Sequence, residues 1–188
     1  GTTKKLKKKY TGANIKIIDA AGAVVLPGFV DSHTHAVFGG NRTGEFVQRI
    51  QGKTYLEILK KGGGIVNTVE QTRKLKFKKL AETSRKYLDT MLLHGTTTVE
   101  IKSGYGLDIN TELKILKVIH HLQKTHSMDI VATFLGAHMI PPEYKNDPDT
   151  YIKLVCNVLP KVKSYATFCD IFCDVGAFSI KQSERVLK

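Results

Sequence analysis

Four short runs rich in β-branched and aromatic residues lie near Val30, Val99, Val131 and Ile171, with helical periodicity between and after them. That alternation is the strongest constraint on the fold. Strands that recur with helices between them pair in parallel, and the helices must then cover the sheet. The runs are Phe29-Val30 leading into Asp31–His35, Thr97–Ile101, Ile130–Leu135 and Phe168–Cys173. Apolar spacing predicts a helix from about Lys76 to Leu93, with Leu80, Tyr87 and Met91 on its inner side and Gly95 just past its end. It predicts a second over Thr111–Gln123, with Leu113, Leu116, Ile119 and Leu122 inward, and a third over Tyr151–Leu159, stopping before Pro160. Thr54 and Glu57 have the spacing of a capping box for a short helix carrying Leu56 and Leu59, stopped by Gly62-Gly63-Gly64. Ser179 and Gln182 repeat that spacing at the start of a last helix. Ahead of these units, Ile15–Ile18 and Ala23–Leu26 flank a turn at Ala21-Gly22 and read as a hairpin.

Bulk properties exclude several classes. The chain has 188 residues, 41% hydrophobic and 24% charged, a globular rather than disordered composition. No apolar run approaches the ~20 residues of a spanning helix, and no signal peptide opens the chain. A soluble, cytoplasmic protein without a membrane partner is expected. The net charge of +12 raises nucleic acid as a partner. Much of the excess sits in two blocks, Lys4–Lys9 and Lys74–Lys79, and the second alternates with Leu75, Phe77 and Leu80 as the wet face of a helix would. Neither block is interleaved with stacking aromatics, so both read as solvated surface. Three cysteines give no even disulfide framework. Cys169 and Cys173, four apart in a strand, would stand about 13 Å apart, too far for a bridge or a shared metal. Buried free thiols in a reducing compartment are expected.

Chemistry gathers at the strand ends. His33 and His35 sit at i and i+2 where an apolar strand turns polar, so both imidazoles face one side and can lean toward one ion. His138 follows another strand and should face the same mouth, although a single histidine there is more often a packing residue. Tyr105 lies between Gly104 and Gly106 on the loop after Thr97–Ile101, where ligand can approach backbone. Arg42 offers a planar fork for a carboxylate, but on residue type alone reads as a surface arginine. Glu100 and Lys102 share a strand face and can pair inside the fold. His94 suits the last turn of a helix. His120, His121 and His126 read as solvated.

The segment Pro27–His35, P-G-F-V-D-S-H-T-H, resembles the first barrel strand of the metal-dependent amidohydrolase superfamily. Val37–Arg42, Gly62–Ile65, Lys102–Leu107 and Gly136–Tyr144 follow in an order and spacing that resemble the imidazolonepropionase family, from about Ile15 to the end of the chain. The resemblance implies an α/β fold: a partial (β/α)8 TIM-type barrel of about four βα units over residues 27–188. Residues 1–26 would be a basic tail and the remnant of a small β domain. It also implies hydrolysis of the lactam C–N bond of 4-imidazolone-5-propanoate to N-formimidoyl-L-glutamate, in histidine breakdown, by water activated at one divalent metal ion, zinc or iron. His33 and His35 match the first two metal ligands. Arg42, Tyr105 and His138 match substrate-binding positions, with Tyr55 a further candidate. The fourth strand, Phe168–Cys173, carries no lysine to bridge a second metal, in keeping with a mononuclear site.

A complete barrel needs roughly 250 residues. The family's remaining ligands, a histidine on the fifth strand and an aspartate on the eighth, and its acid/base residues have no counterparts here. The chain is therefore expected to be the N-terminal half of a longer enzyme, inactive and weakly stable alone, with open sheet edges, and able to form a homodimer at full length. Two alternatives stand beside this reading. One is another cyclic-amide amidohydrolase or deaminase of the superfamily. The other is a truncated, non-catalytic paralogue acting as a basic binding module.

Overall fold

The computed structural model describes residues 1–12, 14–54, 57–58 and 62–188. After α1 (Thr3–Lys9), four strands lie side by side in chain order, all parallel: β1 (Phe29–Thr34), β2 (Thr96–Lys102), β3 (Asp129–Ala137) and β4 (Phe168–Ile171). The register sets Val30 against Thr98, Val99 against Ile130 and Phe134 against Cys169. Helices α2 (Thr43–Ile50), α3 (Ile65–Lys74) and α4 (Phe77–Leu93) lie between β1 and β2. Helix α5 (Ile109–Thr125) connects β2 to β3, α6 (Pro148–Val162) connects β3 to β4, and α7 (Ile180–Leu187) follows β4. The architecture is half of a β/α barrel.

Period-two alternation divides the strands into two chemical faces. Val99, Ile101, Ala132 and Phe134 are buried in one cluster with Leu80 and Leu88 of α4, with Ile115, Leu116, Ile119 and Leu122 of α5, and with Ile152 and Val155 of α6. Helix α5 buries residues 115, 118, 119 and 122, the stripe that a 3.6-residue repeat lays along one side. Another set of strand residues is polar. Lys102 Nζ lies 3.0 Å from Glu100 Oε1 and 3.1 Å from Asp170 Oδ2, and the Thr133 hydroxyl donates to Glu100. The expected pair of Glu100 and Lys102 thus forms, and it reaches across to β4.

Local signals at the helix ends are realised. Gly95, at φ +94°, follows α4 in the left-handed conformation that β-carbons disfavour. Ser179 and Gln182 form a reciprocal capping box at α7. Thr54 and Glu57 form another, with Thr54 N–H donating to Glu57 at 2.8 Å and Glu57 N–H to the Thr54 hydroxyl at 3.3 Å. Tyr55, Leu56 and Leu59 lie outside the described residues.

Several expectations need correction. The turn at Ala21-Gly22 is present, closed by Ala23 N–H donating to the Ala20 carbonyl at 2.8 Å, but neither flank is a strand. Ile15, Ile17, Ile18, Val24, Val25 and Leu26 are all exposed, and a hairpin with no layer to pack on is marginal. Helix α6 does not stop before Pro160 but runs to Val162. A proline so near the helix end removes a hydrogen bond only in the final turns, where few remain to lose. Strand β4 ends at Ile171, leaving Cys173 exposed beyond it, and all three cysteines are free. Helices α2 and α3 were not foreseen. The buried residues of α3 are Thr68, Val69 and Thr72, a face two-thirds polar and so invisible to hydrophobic periodicity. His126 is not solvated. Its ring is 2% exposed, accepting from Met128 N–H at Nδ1 and donating from Nε2 to Asp89 at 3.0 Å, which ties the end of α5 to α4. Among the described residues no helix is long and apolar enough to cross a membrane.

Candidate active site

The site forms at the carboxyl ends of β1, β2 and β3. His33 lies in β1 and His35 one residue beyond its end. The strand end is fixed to its neighbour by the Thr34 hydroxyl, which donates to the Glu100 carbonyl at 2.7 Å. Ala36 and Val37 then bury into the core, so the chain turns inward directly after His35. The two imidazoles have centroids 6.0 Å apart and planes inclined at 65°. His33 is exposed and His35 half-buried.

Two further rings close on His35. His138 stacks on it at 4.5 Å with an interplanar angle of 10°, and Tyr105 packs at 4.8 Å. Tyr105 and His138 are themselves 5.4 Å apart. His138 Nδ1–H donates to the Gly104 carbonyl at 3.0 Å, which fixes the tautomer and leaves Nε2 free of the proton. Phe38 backs this group, stacked on Tyr87 of α4 and edge-on to Tyr105. Four of the residues singled out from sequence, on three separate segments, therefore meet at one place.

Arg42 stands apart from the rings. It caps α2, and its Nε donates to Glu45 Oε2 at 2.7 Å while the side chain stays 43% exposed. Glu45 Oε1 accepts from Gly64 N–H at 2.9 Å, joining the start of α2 to the start of α3. Burial works against the Glu45 charge, yet Arg42 and Gly64 N–H hold its carboxyl below the usual range. Arg42 nevertheless reaches the ring cluster electrostatically. Burial raises the Tyr105 hydroxyl pKa, and the Arg42 charge pulls it back.

The electrostatics keep the histidine at the centre neutral. Burial, followed by the neighbouring His138, His33 and Lys102, lowers the His35 pKa to about 3, with the Ser103 backbone opposing. His138 is also lowered, by burial first, against the pull of the Gly104 carbonyl. A neutral imidazole is the form that binds a metal ion.

The spacing of His33 and His35 is close to that of a ligand pair. With a metal–nitrogen bond of about 2.0–2.1 Å and roughly 1.1 Å from nitrogen to ring centre, two imidazoles on a tetrahedral ion have centroids about 5.2 Å apart, and the 6.0 Å here lies within about 1 Å of that. His35 Nδ1 is buried and is the one buried side-chain nitrogen or oxygen among the described residues without a hydrogen-bond partner. Buried polar atoms are otherwise almost always satisfied. The pair is not a complete site. Among the described residues no group of three or more His, Cys, Asp or Glu is placed to hold an ion, and a catalytic zinc takes three protein ligands.

Residues 16–91 match the Amidohydrolase family. The whole chain aligns at 50% identity with an imidazolonepropionase of Clostridium tetani and at 46% with one of Parabacteroides distasonis; 94% of it aligns at 50% with one of Alkaliphilus metalliredigens. Along its length the chain is similar to imidazolonepropionases. It spans 45%, 46% and 43% of those three relatives, less than half the length of each.

Three residues next to this site were not apparent from the sequence. Asp170 completes the Lys102 network from β4, and Arg73 of α3 donates to the Gly106 carbonyl at 2.8 Å. Glu112, a buried carboxylate in the first turn of α5, is the third. Its one sequence signal is an acidic residue in the first turn of the helix that follows a glycine-bounded loop.

Proposed function

We propose that the whole protein carrying this chain is an imidazolonepropionase, hydrolysing the lactam C–N bond of 4-imidazolone-5-propanoate to N-formimidoyl-L-glutamate. One observation carries the reading. In a chain half identical to imidazolonepropionases, His33, His35, Tyr105 and His138 converge around a buried imidazole nitrogen without a partner. His33 and His35 would hold one divalent ion, zinc or iron, with further ligands from the rest of the protein. When bound, such an ion polarises a carbonyl and lowers the pKa of coordinated water.

The chain's own residues supply binding and orientation. Arg42 uses Nε for Glu45, so the end of its guanidinium remains for the propanoate carboxylate as a charged, planar partner. Glu45 keeps that guanidinium from folding away. Tyr105 and His138 present a phenol and an imidazole beside His35, suited to hold a flat five-membered ring by stacking and by hydrogen bonds from O–H and to Nε2. The protonated Nδ1 of His138 is occupied by Gly104, so a substrate N–H meets an acceptor at Nε2. A cytoplasmic place in histidine breakdown goes with this reading, as does a homodimer of full-length chains.

The experiment is a turnover assay on the full-length protein with imidazolonepropanoate, before and after chelation. Chelator-sensitive loss of the substrate supports the reading. A protein that leaves this substrate intact but hydrolyses another cyclic amide, or deaminates an aromatic base, would replace it with the neighbouring superfamily activity.

A further inference from the structure

The loop that carries Tyr105 joins β2 to α5 and has no regular ladder of its own. Its polar groups are met all the same, and most meet one side chain. Gly104 N–H donates to Glu112 Oε2 at 2.9 Å. Gly106 and Leu107 N–H both donate to Oε1, at 2.7 and 2.9 Å. The Ser103 hydroxyl bonds the same carboxylate, while its oxygen accepts from Leu135 N–H of β3 at 3.0 Å. The loop carbonyls face other partners: Gly104 accepts from His138, and Gly106 accepts from Arg73. Glu112 is 2% exposed, so no water competes for these donors.

A carboxylate is the side chain that suits this position. It is acceptor-only, with about four lone-pair sites for the four donors that converge on it. Burial raises its pKa, and those four hydrogen bonds oppose the rise. The backbone it holds would not adopt this course unaided. Leu107 sits at φ +55°, the left-handed region that costs a non-glycine residue about 1–2 kcal/mol. Gly106 has no room for a side chain, because a Cβ would stand 2.7 Å from Glu112 N and 2.8 Å from Oε1. An acidic residue in the first turn of a helix ordinarily faces solvent and contributes through the helix dipole. Glu112 instead points inward and shapes the preceding loop.

We propose that Glu112 is the positioning residue of this site: its carboxylate folds the Ser103–Leu107 loop so that Tyr105, and His138 through the Gly104 carbonyl, stand against His35. The geometry is independent of the substrate; the consequence for catalysis rests on the imidazolonepropionase reading. Removing the charge while keeping the size, as in Glu112→Gln, turns an amide NH2 toward at least one loop N–H and leaves that donor buried and unpaired.

The test uses the full-length protein with Glu112→Gln and isotope-labelled tyrosine and histidine rings. The Tyr105 and His138 ring resonances should move, while that of His126, at the far end of α5, stays. The KM for imidazolonepropanoate should rise by about tenfold or more with kcat less affected, and metal content should be unchanged. A variant that is merely less stable would lower the melting temperature and leave KM and the ring resonances alone. Unmoved Tyr105 and His138 resonances, or a KM within about twofold of wild type, overturn the proposal. If Glu112→Gln does not accumulate as folded protein, Glu112→Asp takes its place, retaining the charge one methylene short, and should move the same resonances in the same direction by less. If the wild-type protein does not turn over imidazolonepropanoate, the substrate reading fails, and the ring resonances alone decide on Glu112.

Discussion

The imidazole of His138 lies flat against that of His35, with centroids 4.5 Å apart and planes within 10°. The two residues come from different strands, and their contact is set by backbone. His35 follows β1, and His138 follows β3 with Nδ1–H anchored on the Gly104 carbonyl. In the proposed reading His35 serves the ion and His138 the substrate beside it. Replacing His138 with Ala in the full-length protein is expected to raise KM for imidazolonepropanoate by about tenfold to a hundredfold and to leave bound metal at the wild-type level. Steady-state kinetics with elemental analysis of the same preparation checks both halves of the expectation.

Gly104 is constrained twice. It adopts φ +112°, and a Cβ there would stand 2.7 Å from the Leu135 carbonyl oxygen and 2.8 Å from His138 Cβ. Gly104→Ala should cost roughly 2–4 kcal/mol through strain and overpacking, and should displace His138. Denaturant melts of wild type and variant measure the first effect, and KM reports the second.

Lys102 gives a prediction with a definite pH sign. Burial works against its charge, but hydrogen bonds to Glu100 and Asp170 outweigh it and raise its pKa above the ordinary lysine value. A group raised in the folded state contributes stability that is fully present below its unfolded pKa and lost as pH rises through the folded one. The contribution of Lys102 should therefore be constant through neutral pH and fade only in the alkaline range. Lys102→Met leaves Glu100 mostly buried without its cation and should cost roughly 3 kcal/mol at neutral pH. The gap between wild type and variant, followed by melting temperature against pH, should stay level through neutral pH and narrow as pH rises into the alkaline range.

The helix-facing core should behave as an ordinary close-packed interior. Ile119, fully buried between α5 and the sheet, is expected to cost about 2–5 kcal/mol as Ile119→Ala, without altering KM in the protein that remains folded. Equilibrium unfolding is the measurement.

The pattern of legibility follows from the physics. Strands β2 and β3 and helices α4 and α5 were readable because their periodicity records which side is buried; Leu116, Ile119 and Leu122 recur at the helical spacing and are fully buried. The meeting of His33, His35, Tyr105 and His138 was readable because each stands at or just after the carboxyl end of a strand, and parallel strands bring those ends to one side. Helix α3 was hidden because it buries threonines, and the continuation of α6 through Pro160 because local propensity was overridden by packing of Val158 and Val162. Glu112 and Asp170 were hidden for another reason. A carboxylate in a helix turn or at a strand end looks solvated until the fold shows four donors, or a lysine, aimed at it. The Ile15–Leu26 segment failed in the opposite way: its apolar runs and their turn were legible, but a hairpin needs a surface to lie on.

The central claim is that His33 and His35 bind the metal ion of an imidazolonepropionase. Metal content of the full-length protein, wild type against His35→Ala, tests it most directly. About one zinc or iron per chain is expected in the wild type, and loss of both the ion and the turnover of imidazolonepropanoate in the variant. A folded His35→Ala protein that keeps its metal and its activity would contradict it.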